Sequence, residues 1–282
     1  MTQGPAVDAV SRLAELPGVP EQVEAARAAC TALRWHPALR RRIPEAAAES
    51  RVRGAVASGE LEGATLPVDV VRDIMRGAAS WSDPPDPVEV TMRAVVAATA
   101  ESERVQGHLL SAPRQALARL HTAAAHGLVD RDALGRPRQP GEECRELADL
   151  GPAAPSEEVP ARLRTITQLL LATSSLPVVV AAAVVHAEIA TVRPFVRGNA
   201  VVARALDRAL VQAAGLDPTG VAVTEAGHGS EGGAAYLGAL TAYGRGDVLG
   251  VGLWITHCCS AVRSAAAEGE RIADAVLAGR LS

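Results

Sequence analysis

The chain has 282 residues, 48% of them hydrophobic but only 2% aromatic, and a formal net charge of −4. That is enough apolar material for a large core, and a core filled with Ala, Val and Leu favours closely packed helices over a sandwich built on large rings. The charge leaves no electrostatic footprint for nucleic acid, although all 28 basic residues are Arg and none is Lys.

Cys30, Cys144, Cys258 and Cys259 show no C-x-x-C spacing and no His cluster suited to zinc, so reduced thiols in a cytoplasmic setting are expected. The longest apolar run, 177–185, falls far short of the ~20 residues a bilayer crossing needs, so no membrane partner is expected. Asp8, Glu15 and several prolines stand near the N-terminus in place of a basic stretch followed by an apolar one, so no secretory signal is expected either.

In chain order, residues 5–50 alternate short helical patterns with breaks at Pro17-Gly18-Val19-Pro20, His36-Pro37 and Pro44. Residues 45–58 predict a helix, Gly59 and the stretch 63–67 punctuate it, and 68–77 predict a short helix before a proline cluster at 80–87. Residues 88–127 fit one or two helices, the second starting at Ala112-Pro113 because proline is tolerated in a first turn. Between Gly127 and Pro160 the pattern turns polar and Gly/Pro-rich, compatible with a small hairpin but not with a long packed helix. Helical patterns return at 160–174, 177–191, 200–214, around 231–243 and at 248–278. No repeat of fixed period is visible, which argues against a solenoid.

The most informative stretch is Arg193-Pro-Phe195-Val-Arg197-Gly198-Asn199, followed by Ala200-Val201-Val202-Ala203-Arg204. A Gly-Asn turn leads into a helix whose first N–H groups have no internal partners, a combination that seats anions. This stretch resembles the signature of the Fic (Fido) family, H-x-F-x-[D/E]-G-N-G-R-x-x-R, whose members transfer AMP from ATP to protein hydroxyls. Phe195, Gly198, Asn199 and Arg204 match. Arg193 stands at the catalytic His, Arg197 at the acidic metal ligand, and Ala200 and Val201 at the second Gly and first Arg.

Four other segments are similar to Fic features in the family's order. Ser58-Gly-Glu-Leu-Glu62-Gly63 resembles the inhibitory motif [S/T]-x-x-x-E-[G/N] of the class that carries it N-terminally. Leu120-His121 followed by Gly135-Arg-Pro-Arg138 resembles the approach to the hairpin flap, 176–188 the helix before the active-site loop with its His186, and 236–254 the closing helices. The resemblance covers about residues 55–265. It implies an all-α fold: a Fic-like helical bundle, residues 91–282, with a small β-hairpin flap, and an N-terminal helical extension, residues 1–90, carrying the segment 58–63.

By that resemblance Gly198, Asn199, Arg204 and Arg197 border the nucleotide phosphates, Ser58, Glu62 and Gly63 form the inhibitory segment, and Glu62 is the natural partner of Arg204. ATP is the implied ligand, and a protein target is reached through the flap near 127–140; a homodimer stays open. The departures bear on the reaction. Arg193 cannot act as a general base, since its pKa lies above ~12. Arg197 repels a cation, which disfavours magnesium, and no metal site is expected. His186 and His121 are read as supporting or flap-anchoring residues rather than substitute bases. The expected role is that of a catalytically impaired relative, a pseudoenzyme with a regulatory or binding role. The rivals are an adenylyltransferase or related phosphotransferase of altered mechanism, which needs a base outside the signature, and a helical interaction protein unrelated to nucleotides.

Overall fold

The computed structural model describes residues 4–280, and the expectations that touch 1–3 and 281–282 lie outside the described residues. Among the described residues the chain forms twelve α-helices: α1 (Pro5–Ala14), α2 (Val19–Arg34), α3 (Ile43–Leu61), α4 (Val68–Met75), α5 (Pro87–Leu109), α6 (Pro113–Ala125), α7 (Val159–Leu171), α8 (Val178–Val192), α9 (Asn199–Ala213), α10 (Thr224–Gly229), α11 (Gly233–Gly244) and α12 (Val248–Leu277). Prolines punctuate most of the starts, and Pro44, expected as a break, sits in the first turn of α3, where a missing N–H costs nothing. The proline cluster ends in a capping box: Asp86 accepts from the Glu89 N–H at 2.8 Å, while Glu89 accepts from the Asp86 N–H at 3.2 Å.

The centre is α8 against α9, with α5 across α9 and α3 across α5. Helix α8 is apolar around nearly its whole circumference, and α9 is buried on almost every side, as for helices enclosed within the core. Helix α9 nevertheless buries Asn199, Arg204, Asp207 and Arg208, and each needs a partner there because an unpaired buried polar group is costly. Those obligations shape the site. Helix α12 is long and apolar enough by length and composition to cross a membrane, yet Trp254, Ile255, Cys259 and Ile272 place its apolar stripe in the core, packed on α2, α10 and α11. The Trp254 indole N–H donates to the Ala183 carbonyl at 2.7 Å, locking α12 to α8.

Gly59 does not end α3, as the sequence suggested, but lies inside it: a Cβ there would fall 2.2 Å from Met92 Sδ and 2.8 Å from the Ala64 carbonyl oxygen. The glycine permits the close α3–α5 crossing. The apolar core runs without interruption from Val7 to Val276, and the expected division at 90/91 falls in the first turn of α5.

The expected β-hairpin flap does not form. Among the described residues, the stretch between α6 and α7 contains two three-residue 3₁₀ turns and one isolated bridge between His126 and Val129, and no strand. The reason lies in its side chains. The Arg138 guanidinium spans the carbonyls of Glu142, Ala154, Val192 and Arg193, and its backbone N–H goes to the Pro194 carbonyl. Arg136 clamps Glu142 with two bonds of 2.7 and 2.8 Å. Backbone groups that a ladder would need are taken, and Pro137 and Pro140 have no N–H to offer.

Candidate anion site at the start of helix α9

Helix α8 ends at Arg193, which adopts φ +49°, a left-handed conformation unusual for a residue with a side chain. The loop that follows is held from both sides. His121 stacks on Phe195 with ring centroids 3.9 Å apart. Its Nδ1 accepts from the Gly135 N–H at 2.9 Å, so the proton sits on Nε2, which donates to the Arg197 carbonyl at 3.1 Å. Burial pushes the His121 imidazole down to about 4, so it serves as a neutral clamp. Asn199 ties the loop to itself: its Oδ1 accepts from the Phe195 N–H and its Nδ2 donates to the Phe195 carbonyl, both at 2.9 Å.

Gly198 takes φ +85° and turns its N–H and that of Asn199 toward one point in front of α9. That point holds a carboxylate of the chain itself. Glu146, from the irregular stretch, accepts from the Gly198 N–H, from the Asn199 N–H at 3.0 Å and from Asn199 Nδ2 at 2.9 Å. Two backbone donors and an amide converging at a helix N-terminus form an anion cradle. Ala200, which would close the cradle if it required positive φ, is an ordinary residue of the first helical turn.

Arg193 faces away from the cradle. Its guanidinium, buried with the rest of the residue, donates to the carbonyls of Glu146 (2.7 Å), Leu147 (3.1 Å) and Gly151 (2.7 Å). Burial lowers its pKa from the usual arginine value. Arg193, which stands at the catalytic His of the signature, thus anchors the loop that carries Glu146. Arg197 is exposed at the mouth, and its guanidinium, unlike its carbonyl, has no hydrogen-bond or ion-pair partner among the described residues.

Arg204 and Glu62 do meet: the guanidinium donates to Glu62 Oε1 at 2.6 Å, and to Ser58 Oγ at 2.9 Å and the Ser58 carbonyl at 3.3 Å. Burial alone would depress Arg204, but the Glu62 charge and Tyr236 hold it above the usual value. Gly63 has φ +75° and lets the chain leave α3 directly after Glu62. Between the two carboxylates lies a cleft of about 450 Å³, walled by Glu62, Thr91, Glu146, Arg197, Gly198 and Val201.

Behind Arg204 the polar groups continue inward. His186 shares a 2.8 Å hydrogen bond with the Tyr236 hydroxyl, and His228 pairs with Asp207 at 3.1 Å. Burial, then the charges of His228, Arg204 and His257, pushes His186 well below its ordinary value, and it lies in the core rather than at the cleft. Donor atoms of His186, Asp207 and His228 lie within 4.8 Å of one another. The charge of Arg204 bears on this group from one side, so the cluster reads as a buried polar network that supports α9.

Sequence reasoning missed Glu146 and the anchoring role of Arg138. The signal was present as charge: a Glu-rich run at 142–146 facing a loop with two extra arginines, Arg193 and Arg197.

The helical fold that carries this loop, with two central helices overlaid by α3, is similar to that of solved Fic-domain structures. Residues 110–210 match the model of the Fic/DOC family. Solved structures with the same fold include a Fic family protein from Desulfovibrio desulfuricans G20 (20% identity, TM-score 0.64, covering 95% of this chain and 75% of that one). A Fic domain containing signaling protein from Bacteroides thetaiotaomicron VPI-5482 is similar at 14% identity and TM-score 0.61, over 90% of this chain and 98% of that one. A fragment of Fic-1 from C. elegans is similar at 20% identity and TM-score 0.59, over 98% of this chain and 74% of that one. No curated protein matches the sequence.

Proposed function

We propose that the protein is a catalytically impaired Fic-like domain, a pseudoenzyme with a regulatory or binding role that retains an anion pocket at the start of α9. The observation that carries this reading is the state of Arg193. The residue at the family's base position has no lone pair to offer, and its guanidinium is committed to three loop carbonyls. Loss of a general base commonly costs ~10²–10⁴ in rate. The implied magnesium does not fit the residues present, because Arg197 brings a positive charge where the family has an acid, so the phosphates of a bound ATP would be neutralised by Arg204 and Arg197. Four free thiols fit a reducing, cytoplasmic setting.

Incubation with labelled ATP, magnesium and cell lysate should label no protein, the domain itself included. Strong labelling would overturn the impairment. Calorimetry with pyrophosphate should show weak binding that magnesium diminishes, since it removes the free anion; binding strengthened by magnesium would show that another residue supplies a metal ligand.

A further inference from the structure

We propose that residues 142–151 form an internal plug: the Glu146 carboxylate sits in the anion cradle as the chain's own phosphate mimic, and an external anion enters only by displacing it. The proposal rests on the reading of the cradle as an anion site, and it adds the occupant and the means by which that occupant is held. Glu146 takes the three converging donors of Gly198 and Asn199, an arrangement that matches a phosphate's demands. A carboxylate tethered a few residues from its anchor competes at high effective concentration, so a soluble anion meets the cradle closed.

The anchor is Arg193. By holding the carbonyls of Glu146, Leu147 and Gly151, it fixes both ends of the turn that presents the carboxylate, while Arg138 fixes the base of the same stretch through Glu142 and Ala154. The residue that removes the catalytic base and the residue that fills the phosphate seat are thus parts of one device. The plug is also displaceable. Glu146 is only half-buried, Arg145 beside it is exposed and paired only with the equally exposed Glu143, and the 3₁₀ turn at 148–150 buries no side chain. Once Glu146 swings out, the incoming anion meets the Gly198 and Asn199 N–H groups and the unpartnered Arg197.

The apparent affinity of such a site is reduced by the fraction of molecules that stand open, so removing the plug raises it. The test is calorimetric titration of inorganic pyrophosphate into the full chain, wild type, Glu146→Ala and Glu146→Gln, with circular dichroism verifying that all three are folded. We expect Glu146→Ala to bind at least ~10-fold more tightly than wild type, with Glu146→Gln between them. Trypsin supplies an independent readout: pyrophosphate should speed cleavage after Arg145 in the wild type, because displacement loosens the loop. Equal, measurable affinity in all three proteins overturns the plug and leaves the anion pocket standing. Absence of binding in all three overturns the pocket reading and the plug with it.

Discussion

At the scale of single residues, the loop ahead of α9 is built from charged groups that satisfy one another. Arg193 would be an expensive buried cation on its own, but three carbonyl acceptors surround it. Replacing it by Met leaves those carbonyls without their donor, and a lost buried partner costs ~1–3 kcal/mol, partly recovered where water reaches the loop. Arg193→Met should therefore lower stability by about 2–4 kcal/mol, read from the urea midpoint. Arg193→His restores an imidazole but neither an acid at position 197 nor an empty cradle, so protein labelling from ATP should stay at background; robust labelling would show that the base alone was missing. Glu62→Gly acts at the other wall. It leaves the Arg204 guanidinium with Ser58 and Tyr236 but no carboxylate, so pyrophosphate affinity should rise roughly tenfold, ~1.4 kcal/mol, and the gain should shrink with added salt. An unchanged affinity would mean that this pair does not face the ligand.

At the scale of elements, helices with strong periodicity and clear stops were legible in the sequence, and those shaped by a neighbour were not. The starts of α6, α8 and α12 follow from Pro113, Pro177 and Asp247, signals carried by one or two residues. Helix α10 was missed because Thr224-Glu-Ala-Gly-His-Gly229 has too few apolar positions to show a period; it exists because Glu225 pairs with Arg208 of α9 and Gly227 packs on α12. The irregular stretch was recognised as such, but its path is set by Arg138, Arg193 and Glu146, whose partners lie about fifty residues apart in sequence, beyond any local pattern. Gly59 shows the same conflict. Helix propensity favours Ala over Gly by ~1 kcal/mol, whereas overpacking costs ~1–3 kcal/mol. Since the Ala64 carbonyl is backbone and cannot step aside, packing wins, and Gly59→Ala should destabilise by about 1 kcal/mol net. Gly107, exposed on α5 with open space around it, is the control: Gly107→Ala should stabilise by ~0.5–1 kcal/mol. If both changes move the denaturation midpoint the same way, crowding at α3–α5 is not what selects glycine.

At the scale of the whole molecule, a core poor in aromatics is organised around buried titratable groups, and these give the fold a defined response to acid. The Arg208–Glu225 pair is fully enclosed; burial alone would raise the Glu225 carboxyl, but Arg208 holds it below the usual range, so its contribution is lost only at strongly acidic pH. The histidines respond first. Burial pushes His121 and His257 down from 6.5 to about 4. In the unfolded chain they take up protons near 6.5, and in the folded protein only near 4, so between those values the unfolded state binds more protons and stability rises with pH. Acidification through this window therefore removes stability, at a slope approaching about 1.4 kcal/mol per pH unit for each histidine. His121 couples this loss to the site, because its protonation turns Nδ1 from an acceptor for the Gly135 N–H into a second donor and unpins the loop ahead of α9. Urea midpoints measured from pH 7.5 to 4 should fall steadily below about pH 6.5, and His121→Gln, which can still accept from Gly135 and donate to Arg197, should flatten the curve by about one proton's worth of slope. Midpoints that stay level across this range in the wild type would show that the buried imidazoles protonate freely in the folded state and that the clamp at His121 is open to water.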